Sequence, residues 1–336
     1  SDLRNMKTIL ITGIAGFIGM HTAKELLDNG HTVIGIDNFC KDVNYELKIS
    51  RIKMLLPYEN FFFYEGDIRD KPFLENVFKN DIDFVINLGA RANVRESMKD
   101  PETFINTNIT GFLNVLEQAK ENNVEKVLYA SSSSVYGANQ SQEFKREDQT
   151  DKPISVYAVT KKSNELFAYM YSNLYGIHTI GLRFFTVYGP YGRSDMAIYK
   201  FVKKILNGEE ISVYNNGNME RDWIHVSDVV KAIELLLKKE PSEGVPYEIF
   251  NIGTGRSVSL IEMIGIIENT LGMKAKKVYL PMQDGDVKRT HANINPLKAL
   301  GYRPKVQIED GITDFVRWYR QYEGGIEREN RKKEDR

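Results

Sequence analysis

Tyr157 and Lys161 lie four residues apart in SVYAVTKKSNELFAYM. On a helix that spacing puts both side chains on one face. A phenol titrates near 10 in water. A nearby ammonium stabilises the phenolate and lowers that value, which makes the pair usable as a general base. Upstream, residues 130 to 137 read ASSSSVYG, a run of hydroxyls of which one could serve a catalytic step. Near the start of the chain, TILITGIAGFIG carries Gly13, Gly16 and Gly19. Small residues there let the backbone approach a pyrophosphate, and a helix N-terminus offers free N–H groups and a partial positive charge. Each signal also has a plainer reading. With 18 tyrosines in the chain, a lone tyrosine–lysine spacing describes a surface pair; serine runs describe loops, and glycines permit tight turns.

The elements that would position these groups are legible. TILIT, TVIGI, NFFFY, FVINL, KVLYA and TIGLRF are short apolar runs with the character of buried strands in a parallel sheet. Amphipathic stretches separate them: FIGMHTAKELLDNG stops at Gly30, and PETFINTNITGFLNVLEQAKENN opens on Pro101 and should run for several turns. Repeated strand–helix units predict an α/β fold, a doubly wound parallel sheet of Rossmann type. The glycine triplet, spaced GxxGxxG, then sits between the first strand and the first helix. Asp37 ends the second strand about 20 residues on, where an acid binds ribose hydroxyls and repels a 2′-phosphate, favouring NAD over NADP. Asp37 as a turn residue is the alternative. Asp67 in YEGDIRD is placed to hold an adenine, or else to make a turn.

After Tyr188 the pattern changes, with Gly189, Pro190 and Gly192 breaking the chain. IYKFVKKILNG and SLIEMIGIIENTLG read as helices, and SVYNNGN as a strand and turn. The expected organisation is a dinucleotide domain over 1–188, with a return of about 226–253, and a smaller C-terminal α/β lobe over 189–336. That lobe would cover the carboxyl edge of the sheet, where doubly wound proteins bind ligands. The tail EREN RKKEDR, from Glu327, is all polar and is expected to fray. SDLRN ahead of Met6 is read as an appended leader and left out of fold reasoning.

Composition narrows the classes. The 336 residues are 42% hydrophobic and 27% charged with a formal net charge of −1. Nothing in that balance favours nucleic acid or an anionic membrane as partner. No apolar run approaches the roughly 20 residues needed to span a bilayer. Cys40 is the only cysteine, so no intrachain disulfide forms, and a reducing, cytoplasmic compartment is expected.

The motifs together resemble the extended short-chain dehydrogenase/reductase family, in particular its nucleotide-sugar epimerases and dehydratases. TGIAGFIG, IDNF, GDIRD, SSSSVYG, YAVTK, LRFFTVYGP, RDWIHVSDV and FNIGTG carry the resemblance over nearly the whole chain. It implies catalysis by Tyr157, Lys161 and Ser132. In the family's mechanism the tyrosine removes a sugar hydroxyl proton while carbon gives hydride to a tightly held NAD that is regenerated each turnover. The lysine supports the phenolate and holds the nicotinamide ribose, and the serine hydrogen-bonds the reacting oxygen. The expected cofactor set is Gly13, Gly16, Phe17, Ile18, Gly19, Asp37, Asn38, Asp67, Ile68 and Leu88, with Tyr157 and Lys161. The family's pyrophosphate arginine falls on Arg221, which by its sequence context alone is a solvated side chain.

Ser133 and Ser134 occupy the two positions where family dehydratases carry Asp-Glu and decarboxylases a glutamate at the second. Neither carboxylate is present, which argues against both reactions. Thr186, GPYGRSDMAIYKF and PMQDGDV, with Gln283, resemble UDP-glucuronate 4-epimerases. Oxidising C4 of a glucuronate makes a β-keto acid that loses CO₂ when its carboxylate bond aligns with the carbonyl. Neutral donors from Ser133, Ser134 and Thr186 could hold the carboxylate off that alignment, with a charged contact from Arg193; capping of the loop's own backbone is the alternative for the two serines. Asp286 completes the expected UDP-sugar set. Asn87 stands where the family commonly has histidine, and Arg91 and Glu96 are also atypical. A 4-epimerase of UDP-glucose or a UDP-N-acetylhexosamine is the second reading, and a non-catalytic nucleotide-sensing protein the third. The resemblance further implies a homodimer through helices 101–122 and 156–174, with Phe104, Leu113, Leu116, Leu166 and Tyr169 as candidate contacts.

Overall fold

Strands and helices alternate through the first half of the computed structural model, which describes residues 5–335. In order they are β1 (Thr8–Thr12), α1 (Phe17–Asp28), β2 (Thr32–Asp37), α2 (Tyr45–Leu55), β3 (Phe61–Glu65), α3 (Lys71–Val77), β4 (Phe84–Asn87), α4 (Val94–Lys99), α5 (Pro101–Ile105), α6 (Gly111–Glu121), β5 (Lys126–Ser132), α7 (Val156–Tyr175) and β6 (His178–Phe184). Then follow β7 (Thr186–Tyr188), α8 (Ala197–Leu206), β8 (Glu210–Tyr214), β9 (Glu220–Arg221), β10 (Trp223–His225), α9 (Val226–Leu237), β11 (Tyr247–Ile252), β12 (Val258–Ser259), α10 (Leu260–Leu271), β13 (Lys276–Leu280), α11 (Asn295–Lys298) and α12 (Ile308–Glu334). All six strands expected in the first half are present. They form one parallel sheet with β11, in the order β11-β6-β5-β4-β1-β2-β3.

Alternation along β1 sets the two faces of this sheet. Ile9 and Ile11 enter a core with Leu26 of α1, Ile52 of α2 and Ile233 of α9. Leu10, between them, enters the opposite core with Leu74 of α3, Leu116 of α6 and Ala168 of α7. A third cluster, with Val202, Ile211, Ile264 and Phe315, joins α8, β8, α10 and α12. Small two-stranded pairings, β10 with β7, β12 with β9 and β13 with β8, complete the C-terminal half.

The structure corrects three expectations. The helix from Pro101 is not continuous: Asn106–Thr110 forms a π turn between α5 and α6. The tail does not fray at Glu327, because α12 continues to Glu334. Its polar residues are good helix formers, and Arg331, Lys332 and Lys333 in the last turn oppose the helix dipole. Phe104 and Leu116 are fully buried within the protomer and Leu113 is half-buried, so none of the three is a free surface contact. The apolar stripe of α6 faces the sheet instead. Leu166 and Tyr169 do point outward, 60% and 47% exposed. Ser1–Arg4 of the SDLRN segment and Arg336 of the tail lie outside the described residues. No helix among the described residues is long and apolar enough to cross a membrane.

Candidate active site

β1 and β4 are neighbours, yet the chain leaves them in opposite directions across the sheet. This is the point at which an open α/β sheet forms a ligand crevice. Here the loops after β1 and β4 nearly touch. A Cβ on Gly13, whose φ is +70°, would come within 2.8 Å of the Gly89 nitrogen, and one on Gly19 within 2.3 Å of the Gly13 oxygen. Only glycine fits at either place. Thr12 Oγ1 donates to Asn87 Oδ1 (2.6 Å) and accepts from the Gly89 amide (3.0 Å). The atypical Asn87 therefore ties the two strand ends together.

Asp37 fixes the glycine loop from the next strand. Its carboxylate accepts from the amides of Ala15 (3.0 Å) and Phe39 (2.9 Å). Burial pushes its pKa up, against those two amides and the charges of Lys48 and Arg51. Asn38 Nδ2 donates to Asp67 Oδ2 (3.0 Å). Burial raises the Asp67 pKa, but hydrogen bonds from Arg69 and Asn38 outweigh it and hold the carboxyl down at about 2. Ile68 is buried against Gly111 at the start of α6. Asp37, Asn38, Asp67 and Ile68 thus cluster beyond β2 and β3, outside the wall of the main cleft. A backbone cradle with a carboxyl group one strand away fits the diphosphate and ribose of a dinucleotide.

The cleft itself holds about 670 Å³. Gly13, Gly16, Phe17, Ile18, Gly19 and Leu88 line it. So do Ser132, Ser133, Ser134, Tyr157, Lys161 and Thr186, together with Arg193, Arg221 and Asp286. Tyr157 and Lys161 are placed by α7, which Ser155 caps by accepting from the Ala158 amide (3.0 Å), and which ends at Gly176 in the left-handed conformation. Ser97 of α4 accepts from the Tyr157 amide (3.0 Å). Glu165, one turn beyond Lys161, receives Ser131 Oγ (2.6 Å) and pairs with Arg183 of β6 (2.8 Å), all of it buried. That ties α7 to β5 immediately beside Ser132.

The π turn contributes here. It turns Asn108 toward α7, where Nδ2 donates to Thr160 Oγ1 (3.0 Å) and to the Arg91 carbonyl (2.9 Å), while Oδ1 accepts from the Arg91 amide (2.8 Å). Arg91 in turn pairs with Glu96. The two atypical residues of the NLGARANVRES loop therefore engage each other and brace that loop.

One electrostatic expectation is not met. Lys161 Nζ donates to the Ala130 carbonyl (3.1 Å) and lies 5.7 Å from the Tyr157 ring centre, and burial lowers its pKa to about 8. The Tyr157 phenol is pushed up by burial, opposed by a hydrogen bond with Ser132 and by the charge of Arg193. The phenol's local counterweights are therefore Ser132 and Arg193 rather than the lysine.

Ser132 Oγ also accepts from the Ser134 amide (3.1 Å) as the cap of a short 3₁₀ turn. Among the described residues, the hydroxyls of Ser133, Ser134 and Thr186 engage no other protein group, so they are available to the cleft. The guanidiniums of Arg193 and Arg221 are already paired. Arg193 contacts Asp195 through Nε (3.0 Å) and Nη2 (2.5 Å), and Arg221 Nη2 contacts Asp286 Oδ1 (2.7 Å). Asp286 is thus the arginine's partner. The FNIGTG segment does not line the cleft but wraps buried Asp222, which accepts from the Thr254 and Gly255 amides. Sequence reasoning missed Asp195, which also accepts from Asn44 (3.3 Å) and Asn93 (3.2 Å), and the cleft cations Arg95, Lys200 and Lys204. The amphipathic character of YKFVKKIL hid the lysines as an ordinary solvated face.

The profile of the NAD dependent epimerase/dehydratase family matches residues 9–253. An uncharacterized protein of Methanocaldococcus jannaschii is 52% identical over 93% of this chain and 96% of its own. UDP-glucuronate 4-epimerase 4 of Arabidopsis thaliana is 41% identical over 97% of this chain and 78% of its own. Among solved structures, the UDP-glucuronic acid 4-epimerase of Bacillus cereus, in complex with UDP-glucuronic acid and NAD, superposes with a TM-score of 0.86 at 32% identity, covering 94% of this chain and 99% of that one. The UDP-glucose 4-epimerase of Thermotoga maritima, with UDP-glucose, has a TM-score of 0.84 at 32% identity and the same coverage.

Proposed function

Because the chain belongs to the NAD-dependent epimerase/dehydratase family and is an NAD-dependent nucleotide-sugar 4-epimerase, we propose that its substrates are UDP-glucuronate and UDP-galacturonate. The observation that carries the choice of sugar is the trio of unengaged hydroxyls at Ser133, Ser134 and Thr186 beside Tyr157. No acid occupies either serine position, so a uronate carboxylate meets donors there rather than a like charge.

Bound NAD, held by the glycine loop, Asp37 and the Lys161 ammonium, supplies the hydride acceptor and donor. Tyr157 takes the proton of the C4 hydroxyl as C4 is oxidised and returns it after the keto-sugar has turned over. Ser132 hydrogen-bonds O4. Ser133, Ser134 and Thr186 hold the carboxylate so that the C5–C6 bond stays out of line with the C4 carbonyl. Arg221, with its position set by Asp286, receives the UDP diphosphate. Incubating the protein with UDP-glucuronate, UDP-glucose and UDP-N-acetylglucosamine separately tests this reading. The uronate should be turned over fastest, and activity confined to either neutral sugar would overturn it.

Thr186→Val removes one carboxylate donor and leaves an oxygen underpaired, at about 1–3 kcal/mol. Slower epimerisation is expected, together with a measurable rise in UDP-4-keto-pentose and CO₂. Ser132→Ala should slow turnover without changing that branching ratio. Equal rate losses with no CO₂ from either variant would contradict this division of roles.

The outward face of α7, with Val159, Leu166, Met170 and Leu174 all exposed, is proposed as the homodimer contact. Light scattering should give a dimer at micromolar concentration, and Leu166→Glu should shift it toward monomer.

A further inference from the structure

Arg51, on α2, has nothing in its sequence context to separate it from a surface charge. In the fold it is 1% exposed, the bulkiest fully buried side chain of the described residues. Its Nη1 donates to the Ala15 carbonyl (3.1 Å) and its Nε to the Tyr191 carbonyl (2.9 Å), while Nη2 is buried without a partner. No carboxylate forms an ion pair with it among the described residues. A buried guanidinium without a counter-ion is costly, so its retention calls for a role.

Its two carbonyls belong to the two loops that build the cleft. Ala15 is part of the glycine loop, and its amide is the one held by Asp37. One peptide segment is therefore gripped from β2 and from α2 at once. Tyr191 belongs to the loop from which Arg193 and Asp195 line the cleft, and it has a positive φ of 64° that a non-glycine residue adopts only under constraint. The same helix grips this loop a second time. Asn44, at its N-terminus, accepts from the Ser194 amide (2.9 Å) and donates to Asp195 (3.3 Å). The charges that act on Arg51 are those of Arg193, Asp37 and Asp42.

We propose that Arg51 is a positioning residue that ties the dinucleotide loop to the substrate-side loop, so that cofactor retention and sugar-nucleotide affinity depend on one guanidinium. The inference rests on the NAD-dependent epimerase reading but not on which sugar is the substrate.

The test uses Arg51→Met and Arg51→Lys in the full chain, assayed with whichever UDP-sugar the wild type turns over. Two measurements are made: NAD per protomer after gel filtration, and KM and kcat with and without added NAD. Losing both charge-assisted carbonyl contacts should raise KM about tenfold or more in Arg51→Met. NAD content should fall in parallel, and added NAD should recover kcat to within about threefold of wild type. Arg51→Lys, which keeps the charge but cannot span both carbonyls, should be intermediate in both quantities. A variant with a lower Tm but wild-type NAD content and KM would show a framework role only and overturn the proposal. So would a change in one quantity without the other. If Arg51→Met does not fold, Arg51→Lys decides: wild-type values of both in that variant overturn the inference.

Discussion

Replacing Tyr157 by Phe should lower kcat by about 10²–10⁴ while leaving the fold, the NAD content and UDP binding as in wild type. The ring stays, so the packing of α7 against the sheet is kept; only the hydroxyl proposed to exchange a proton with O4 is lost. The chain's own geometry makes this sharp. Among the described residues, Ser132 is the hydroxyl that hydrogen-bonds the phenol, and Arg193 the charge that lowers its pKa. Neither can take its place as a base, since a serine hydroxyl is too weakly acidic and an arginine stays protonated. Single-turnover absorbance at the reduced-nicotinamide band checks the result, because the variant should show no reduction on mixing with substrate. A loss of less than tenfold would place the proton transfer elsewhere.

Lys161→Met should be inactive to a similar degree, yet more stable than wild type after bound nucleotide is stripped. Lys161 is 3% exposed and, among the described residues, has a single protein acceptor, the Ala130 carbonyl. Its pKa lies at about 8 in the folded chain against 10.5 unfolded. Below the folded value both states are protonated, and the native state carries the full cost of the buried ammonium. Between about 8 and 10.5 the unfolded chain holds more protons, so stability rises with pH across that window and the cost disappears above it. Removing the amine at pH 7 should therefore gain roughly 1–3 kcal/mol, seen as a higher Tm, with the gain vanishing near pH 11. A Tm at or below that of wild type at pH 7 would mean the amine has partners that offset its burial.

How far these residues were legible in the sequence depended on the range of the interactions involved. The strands of the sheet follow from local apolar runs, and the glycine loop and the Tyr157–Lys161 face follow from spacing within single elements. Each of those is a short-range property. The π turn at Asn106–Thr110 was not legible, because its composition continues a helical pattern and the contacts Asn108 makes there, with Thr160, Arg91 and Asn164, come from residues distant in sequence. The pairings of Arg193 with Asp195 and Arg221 with Asp286 were missed in part, because a candidate anion ligand and its partner look alike as charged loop residues. Arg51 was missed completely: a charge on an amphipathic helix reads as solvated, and its burial arises from Ala15 and Tyr191, far away along the chain. The phenol's elevated pKa was likewise a matter of surroundings. Spacing puts Lys161 beside Tyr157, but depth in the fold decides which influence prevails.

The activity proposed for the chain is inversion at C4 of a uronate within one closed turnover. Its most direct test is incubation of the purified protein, with no cofactor added, with UDP-glucuronate carrying deuterium at C4. The product should be UDP-galacturonate with the deuterium still on C4 and with almost no CO₂ released. Loss of the deuterium to solvent, a strict need for added cofactor, or an inert uronate alongside active UDP-glucose would contradict it.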